Sequence, residues 1–491
     1  MGKGSNVELM KFDSDVQKIK YDVLKEVAST AFKGIECDEN KIAKKIVPGP
    51  KPVSRCCIYH EREIVRERVI LANGGNIEND NIIEVIPAAC DECPINRYKI
   101  TEACRGCLSH KCAKSCPFNA IEIINQRAVI NYDLCKECGR CQKACPYNAV
   151  ADIQRPCIRA CGAKSISINE EKKAVIDNSK CVSCGQCSQA CPFGAIMDKS
   201  QISDVIRDII DESREHNVYA IIAPAIASQF TFADIGQVVS AIKKVGFTDV
   251  VEVALGADII AEHESKEFAE VMEEKDFMTT SCCPAFVEYI TKNYPELIDN
   301  MSTSVSPMIA TARLIKNTDK NAKVAFIGPC MAKKMEAKKS DIADGVDYVL
   351  TFEELLAMLD AADINVKECS EAQLNNGSYY GRIFARSGGV TEAIIQAIEE
   401  FGIEGEFKPV KCNGLNECDK ALKLAKIKRL QGNFIEGMAC EGGCIHGAGS
   451  ISFGPKSKVT VDKYGEMALE KNIKDSLRVF NTDNIELHRK F

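Results

Sequence analysis

The chain of 491 residues contains no tryptophan, and aromatic residues make up only 6% of it. That scarcity excludes little. Three other absences exclude more. No apolar stretch approaches the roughly 18 residues that a membrane span needs, and no polybasic run marks a membrane surface. The formal net charge of -7 leaves no basic footprint for nucleic acid. The first residues, M-G-K-G-S-N-V-E-L-M-K-F-D, lack the apolar core of a signal peptide. Nucleic acid and lipid are therefore not expected as partners, and a cytoplasmic location is expected.

Cysteine is what the chain has in excess, with 27 of them. In a reducing compartment disulfides are disfavoured, so metal ligation is the expected use. A content of 45% apolar and 27% charged residues is that of a folded chain long enough for several domains.

Residues 1–85 read as a helical region without recognisable chemistry. Val16, Ile19, Val23 and Val27 recur at helical spacing, Gly34 interrupts, and E-R-E-I-V-R-E-R-V-I-L-A-N-G-G ends on a glycine stop. Cys37, Cys56 and Cys57 are not expected to bind metal.

Residues 86–198 hold sixteen cysteines in an internal repeat, whose units end at Cys116, Cys145, Cys161 and Cys191. From Ser200 the character changes. Ile202, Val205, Ile206, Ile209 and Ile210 form one apolar helical stripe. Beyond it V-Y-A-I-I-A, D-V-V-E-V-A, K-V-A-F-I-G, R-I-F-A-R and N-F-I-E-G-M-A read as strands between helices such as 351–361 and 389–401. Residues 200–491 are thus predicted to be an α/β domain with mainly parallel sheets. It follows an α+β iron-sulfur domain of bacterial-ferredoxin type. Ligands in parallel sheets sit beyond the carboxyl ends of the strands, where the remaining cysteine motifs fall.

Cys135, Cys138, Cys141 and Cys145 spell C-x2-C-x2-C-x3-C-P, and Cys181, Cys184, Cys187 and Cys191 repeat it. Two-residue spacers wrap the backbone around three corners of a 4Fe-4S cubane, and the fourth cysteine ligates the cluster of the partner run. Tetrahedral zinc is the competing and weaker reading. Cys104, Cys107, Cys112 and Cys116 form a variant run that pairs with the run at 135. One cluster is then expected on Cys104, Cys107, Cys112 and Cys145, and another on Cys135, Cys138, Cys141 and Cys116. The repeat around Cys157 is short of two cysteines. Cys161 can complete the cluster of Cys181, Cys184 and Cys187, while Cys90 and Cys93 can join Cys157 and Cys191 in a fourth. A structural role for Cys90 and Cys93, leaving three upstream clusters, is the alternative.

Three further loops carry cysteine: T-S-C-C-P-A-F (280–286), G-P-C-M-A-K-K-M-E-A (328–337) and E-G-M-A-C-E-G-G-C-I-H-G-A-G (436–449). Cys283, Cys330, Cys440 and Cys444 suit one more buried cluster, and Gly442 and Gly443 allow close backbone approach. Cys282 is left over. Adjacent cysteines bond to each other only with strain, so the two are expected to have different tasks. Cys412 and Cys418, in K-C-N-G-L-N-E-C, and Cys369 are expected to be structural. His110 is read as a non-ligand and His446 as a hydrogen-bonding neighbour of the cluster.

In their order and residues these loops resemble the signature loops of the iron-only (di-iron, FeFe) hydrogenases, over about residues 218–455. The likeness is to a divergent bacterial subgroup with a TSCCPAF first loop. It implies an H-cluster, a 4Fe-4S cubane bridged to a di-iron unit with carbon monoxide, cyanide and dithiolate ligands. It makes Cys283, Cys330 and Cys440 cubane ligands and Cys444 the shared thiolate. Cys282 matches the proton-relay thiol, Lys333 the lysine that binds a cyanide, and Met438 a methionine packed near the di-iron unit. Pro224 and Ala225 fall beside a cyanide, with Ala225 in place of a hydroxyl or amide. Glu264, Ser302 and Glu267 match the relay toward solvent, while Val271 stands where better-known members carry a surface arginine. Phe286 replaces a Trp, Ala285 a Gly, Gly328 a Met, and G-A-G-S a triple-glycine ending.

The implied activity is ferredoxin-linked interconversion of protons and H2, with maturation enzymes as further partners. An H2 sensor or a non-catalytic iron-sulfur relative are the alternatives. The second of these typically lacks the double cysteine or the full third loop, and this chain has both.

Overall fold

A computed structural model describes residues 6 and 10 and the run 12–489, apart from Cys56, Ile77 and Asp483. The expectation for Cys56 and most of that for the N-terminal stretch lie outside the described residues. Among those described, no helix is long and apolar enough to cross a membrane.

The first helix, Asp15–Phe32, starts where the Ser14 hydroxyl accepts from the Gln17 N–H at 3.3 Å. It ends ahead of Gly34, whose φ of +62° few other residues tolerate. Glu39–Ile46 and Ile58–Ala72 follow, the latter stopped by Asn73, Gly74 and Gly75. Val23, Leu24 and Val27 are fully buried, in one hydrophobic core with residues of Ile202–Ile210 and Phe352–Ala361. Ile210, counted in the apolar stripe from sequence, is 37% exposed, because it ends its helix on the far side from that core.

A buried charge network crosses the same seam. Asp198 accepts from Lys20 at 3.0 Å and from Lys334 at 2.7 Å. Lys20 also reaches Glu353 at 2.6 Å, and Lys334 reaches Glu354 at 2.8 Å.

The cysteine-rich segment folds as one ferredoxin-like unit nested inside another. Ile83–Val85 pairs antiparallel with Ile196–Asp198 and encloses the hairpin of Ile166–Ile168 with Ala174–Ile176. Within that span Tyr98–Ile100 pairs with Val150–Asp152 and encloses the hairpin Ile121–Ile124 with Arg127–Ile130. The short helices Lys111–Lys114, Arg140–Ala144, Pro156–Ala160 and Gln186–Ala190 each carry one cysteine, Cys112, Cys141, Cys157 and Cys187.

The C-terminal part carries two parallel sheets. One has Val218–Ile222 and Lys323–Gly328 at its centre, flanked by Asp249–Glu252 and Tyr348–Thr351. The other sets Phe434–Met438 between Met278–Thr279 and Pro409–Asn413. The stretch R-I-F-A-R is not the strand its β-prone run suggests; Tyr379–Ile383 is helical. Ser378 caps that helix through the Gly381 N–H, and Arg382 is buried against Glu252 at 2.8 Å. The polar ends of the stretch are thus turned into ion pairs inside the fold instead of toward solvent.

Candidate active site and metal centres

The three loops leave the carboxyl ends of strands from both sheets. Cys330 follows Lys323–Gly328, Cys282 and Cys283 follow Met278–Thr279, and Cys440 and Cys444 follow Phe434–Met438. The first loop is held by the Thr280 N–H donating to Ile435 O at 3.0 Å and by Ser281 Oγ donating to Ser304 O at 2.6 Å. Pro284, lacking an N–H, opens the helix Pro284–Asn293, which leaves Cys283 at its N-cap. Gly442 and Gly443 both sit near φ +90°, and a Cβ on Gly443 would lie 2.5 Å from the Ser387 nitrogen.

Between the loops is a cavity with about 590 Å³ not filled by protein atoms. Cys282, Cys283, Cys330 and Cys444 line it with Lys333, Met438 and Pro224. Its other walls are mainly apolar, among them Val253, Met308 and Phe384. Cys440 adjoins them as an electrostatic neighbour of Cys330, Cys283 and Cys444. Ala225 is buried behind Pro224 and does not line the cavity. Phe286 lies against Gly437, where a Cβ would meet its ring at 2.0 Å. Burial pushes the Cys330 thiol up to about 11.

Cys282 is pushed well above its ordinary value, by burial first and then by the Glu264 carboxyl. This moves it away from neutrality, so the group is held as S–H. Lys333 Nζ lies 3.4 Å from Cys282 O and 2.6 Å from Glu336. Burial alone would lower its pKa, but the Glu336 carboxylate outweighs that and keeps it charged.

Glu264 is fully buried, and neither of its carboxyl oxygens has a hydrogen-bond partner among the described residues. Burial raises it to about 8, with Glu267 adding to the shift. The Ser302 hydroxyl donates to Glu267 at 2.6 Å, and it also stands near enough to Glu264, with the Ser281 N–H, to temper that rise. Thr303, unmarked in the sequence reading, gives Glu267 two more bonds, from its N–H at 2.6 Å and its hydroxyl at 2.8 Å. The serine and threonine run 302–304 was the available signal. His446 Nδ1 lies 3.2 Å from Glu441 O.

Upstream, the cysteines gather in sets. Cys104, Cys107, Cys112 and Cys145 line one cavity together with His110. Cys116, Cys135, Cys138 and Cys141 line another. Cys161, Cys181, Cys184 and Cys187 are mutual electrostatic neighbours, and so are Cys90, Cys93, Cys157 and Cys191. Among the described residues no group of three or more His, Cys, Asp or Glu side chains closes on a single-ion point. Cys412 and Cys418 are buried against each other, Cys369 is buried beside Lys244, and Cys57 caps Ile58–Ala72.

The set at Cys90 has an informative surround. Arg68 and Arg155 are both buried, and among the described residues neither has a carboxylate partner. Arg68 meets Phe193 O at 3.3 Å, and burial, partly offset by Cys191, lowers it to about 10. Arg155 meets Pro94 O at 3.1 Å, Lys172 O at 2.8 Å and Cys90 Sγ at 3.6 Å. Buried charge without a counter-ion is costly; thiolates holding an anionic cluster would supply one.

The set at Cys184 adjoins the catalytic loops. Gln186 Nε2 lies 3.6 Å from Cys440 Sγ, and a Cβ on Gly185 would sit 2.5 Å from Met331 Sδ. A glycine at φ +80° lets the two segments approach this closely.

Residues 216–448 match the family described as iron only hydrogenase large subunit, C-terminal domain. Residues 103–149 match a 4Fe-4S dicluster domain and residues 174–197 a 4Fe-4S binding domain. Iron hydrogenase 1 of Clostridium pasteurianum is 28% identical over 475 residues, 81% of this chain and 80% of that one. A shorter match, 38% over 97 residues, is to a cytosolic Fe-S cluster assembly factor of Kluyveromyces lactis, covering 20% of this chain and 21% of that protein. A solved FeFe-hydrogenase chain from Chlamydomonas reinhardtii, 19% identical, shares the fold at a TM-score of 0.50 over 59% of this chain and 98% of that one. Cys282, Cys283, Cys330, Cys440 and Cys444 all fall within the hydrogenase match at 216–448, and the cysteine runs beginning at Cys104, Cys135 and Cys181 fall within the two 4Fe-4S matches, which together support an FeFe-hydrogenase-like protein.

Proposed function

We propose that this protein is an iron-only hydrogenase that reversibly reduces protons to H2, exchanging electrons with ferredoxin through 4Fe-4S clusters in the cytoplasm. The observation that carries the reading is the Cys282 thiol, which lines the same apolar cavity as Cys283, Cys330 and Cys444. A cavity built only to store a cubane has no use for it.

Cys283, Cys330, Cys440 and Cys444 would hold the H-cluster, which supplies the two-electron chemistry between protons and H2 when bound. Lys333, kept charged by Glu336, suits an anionic ligand such as cyanide, and Met438 and Pro224 pack the remaining wall. A proton would reach Cys282 from Glu264, whose carboxyl near 8 exchanges protons close to neutrality. Glu264 would be refilled from Glu267 when the Ser302 hydroxyl turns from one carboxylate to the other.

Electrons would enter through the four upstream cysteine sets, that of Cys184 standing nearest the catalytic loops. Residues 97–147, around the outer two sets, carry nine Lys and Arg against four Asp and Glu in a chain of net charge -7. Arg105, Lys111, Lys114, Lys136, Arg140 and Lys143 are exposed there, a face complementary to an acidic carrier such as ferredoxin.

The test is infrared spectroscopy of protein produced with the hydrogenase maturation enzymes, alongside an H2 assay. Carbon monoxide and cyanide bands with H2 turnover are expected. Cubane iron without those bands would move the protein to the non-catalytic reading that the short assembly-factor match favours.

The fourth upstream cluster has its own test. Without maturation the reconstituted chain should hold about twenty irons, four to each of five cubanes. Cys93→Ser is expected to lose or convert one cubane in iron content and electron paramagnetic resonance, with the catalytic infrared bands kept. Unchanged iron and spectra would return Cys90 and Cys93 to a structural role.

A further inference from the structure

We propose that His488 and His263 form the solvent end of the proton route, an inference that rests on the hydrogenase reading. At the position of the surface arginine of better-known relatives this chain has Val271, which has no exchangeable group. The route reaches Glu267, and something must connect Glu267 to water.

Glu267 is surrounded by hydroxyls that lead to this pair. His488 Nδ1 lies 2.8 Å from Thr303 Oγ1, and Thr303 Oγ1 donates to Glu267 Oε1 at 2.8 Å. On the other side His263 Nδ1 lies 2.9 Å from Ser304 Oγ, which is 3.3 Å from Glu267 Oε2. The two rings meet edge to face, Nε2 to Nε2 at 3.3 Å, with centroids 4.6 Å apart. The result is a closed ring of exchangeable groups with one carboxylate at its inner edge and the exposed His488 at its outer edge.

Only one proton fits between the two Nε2 atoms. A proton arriving there from water makes one ring an imidazolium and so weakens its hold on the Nδ1 proton, and both Nδ1 atoms point to hydroxyls that bond Glu267. In the step itself His488 Nδ1–H passes its proton to Thr303 Oγ1 while the Thr303 hydroxyl proton passes to Glu267. One proton moves inward, and no electron moves. The remaining charged groups around the pair are Glu262 and Lys266 on the helix of His263, and Glu486, which accepts from the His488 N–H at 2.9 Å. Burial first, then His488, lowers the pKa of His263, against the pull of Glu267. That favours its neutral form.

A purely structural role is less economical. The C-terminal segment is already fastened by backbone bonds, Val305 N–H to Leu487 O and Arg489 N–H to Thr303 O, both at 2.8 Å. The ring of His488 is not needed to hold it.

The test uses the matured full chain. His488→Gln keeps a polar side chain but cannot relay a proton, and His488→Ala removes the group. Both are expected to keep the carbon monoxide and cyanide band positions and to lose H2 turnover by about tenfold or more. Added imidazole should restore His488→Ala, because a small base can stand in for a surface relay. After light-driven electron injection, the infrared bands should interconvert more slowly in both variants by a similar factor. Wild-type turnover and infrared kinetics in His488→Gln, with Cys282→Ala inactive, would overturn the histidine entry and leave the inner route standing. If Cys282→Ala is active as well, the whole route falls and this inference with it.

Discussion

Cys282→Ala protein is expected to take up the complete cofactor, show its carbon monoxide and cyanide bands, and turn over H2 slower by about 10²–10⁴-fold or more. The expectation rests on position. Cys282 is buried, it lines the cavity, and the acid that acts on it most strongly is Glu264. The burial that raises the thiol also means that it gives up a proton only as another arrives. Removing it leaves an apolar gap between Glu264 and the cavity, and no other titratable side chain lining the cavity is free to replace it. Lys333 is there, but it is committed to Glu336.

Cys283→Ala should behave differently, since it removes a proposed ligand at a helix N-cap and should impair cofactor retention. Aspartate at 282 is expected to recover part of the rate because it carries a proton. Substantial turnover in Cys282→Ala, with intact bands, would mean that protons take another path, and the route through Glu264, Ser302 and Glu267 would be abandoned.

Asp198→Ala is expected to destabilise the chain by about 3 kcal/mol, the low end for breaking a buried ion pair. Asp198 is shared by Lys20 and Lys334, and each lysine keeps one glutamate when it is lost, Glu353 and Glu354. The apparent Tm at a fixed scan rate should fall by on the order of 5 °C. Glu406→Ala removes the exposed pair with Lys408, whose side chains are 73% and 60% exposed, and should barely move it. Equal shifts in the two variants would show that the buried network contributes no more than a surface pair.

The pH dependence has a definite sign. Burial alone would raise the Asp198 pKa, but the Lys20 and Lys334 ammoniums outweigh it and hold the carboxyl well below its usual range. Its unfolded value is about 3.9. The stabilisation is therefore fully present above about pH 4 and is lost as the pH falls through the folded value. Asp198→Ala should accordingly differ from wild type most near neutrality and least in strong acid.

The metal chemistry was legible in the sequence because cluster ligation is local. Two-residue spacers place three thiols on one turn of backbone, and the proline after the fourth marks where the run ends. The proposed pairing of runs was inferred by count. The strands that lead into two of the catalytic loops were partly legible, since V-Y-A-I-I-A and the V-A-F-I of K-V-A-F-I-G are apolar runs, as central parallel strands are. R-I-F-A-R misled because its short apolar run is bounded by arginines that are buried in ion pairs, where the sequence reading took a strand.

What only the tertiary structure decided lies where the chain meets itself at long range. Nothing around residue 488 announces a histidine beside Thr303, because the contact spans 185 positions and depends on how the C-terminal segment docks. Nor does any local pattern reveal that Arg68 and Arg155 converge without carboxylates on the cysteine set of Cys90, or that Lys20 reaches Asp198 across 178 positions. Which ligands a chain can offer is written in residue type and spacing. Whether a buried charge has a partner, and whether a carboxylate is within reach of water, depends on which distant segments packing brings together.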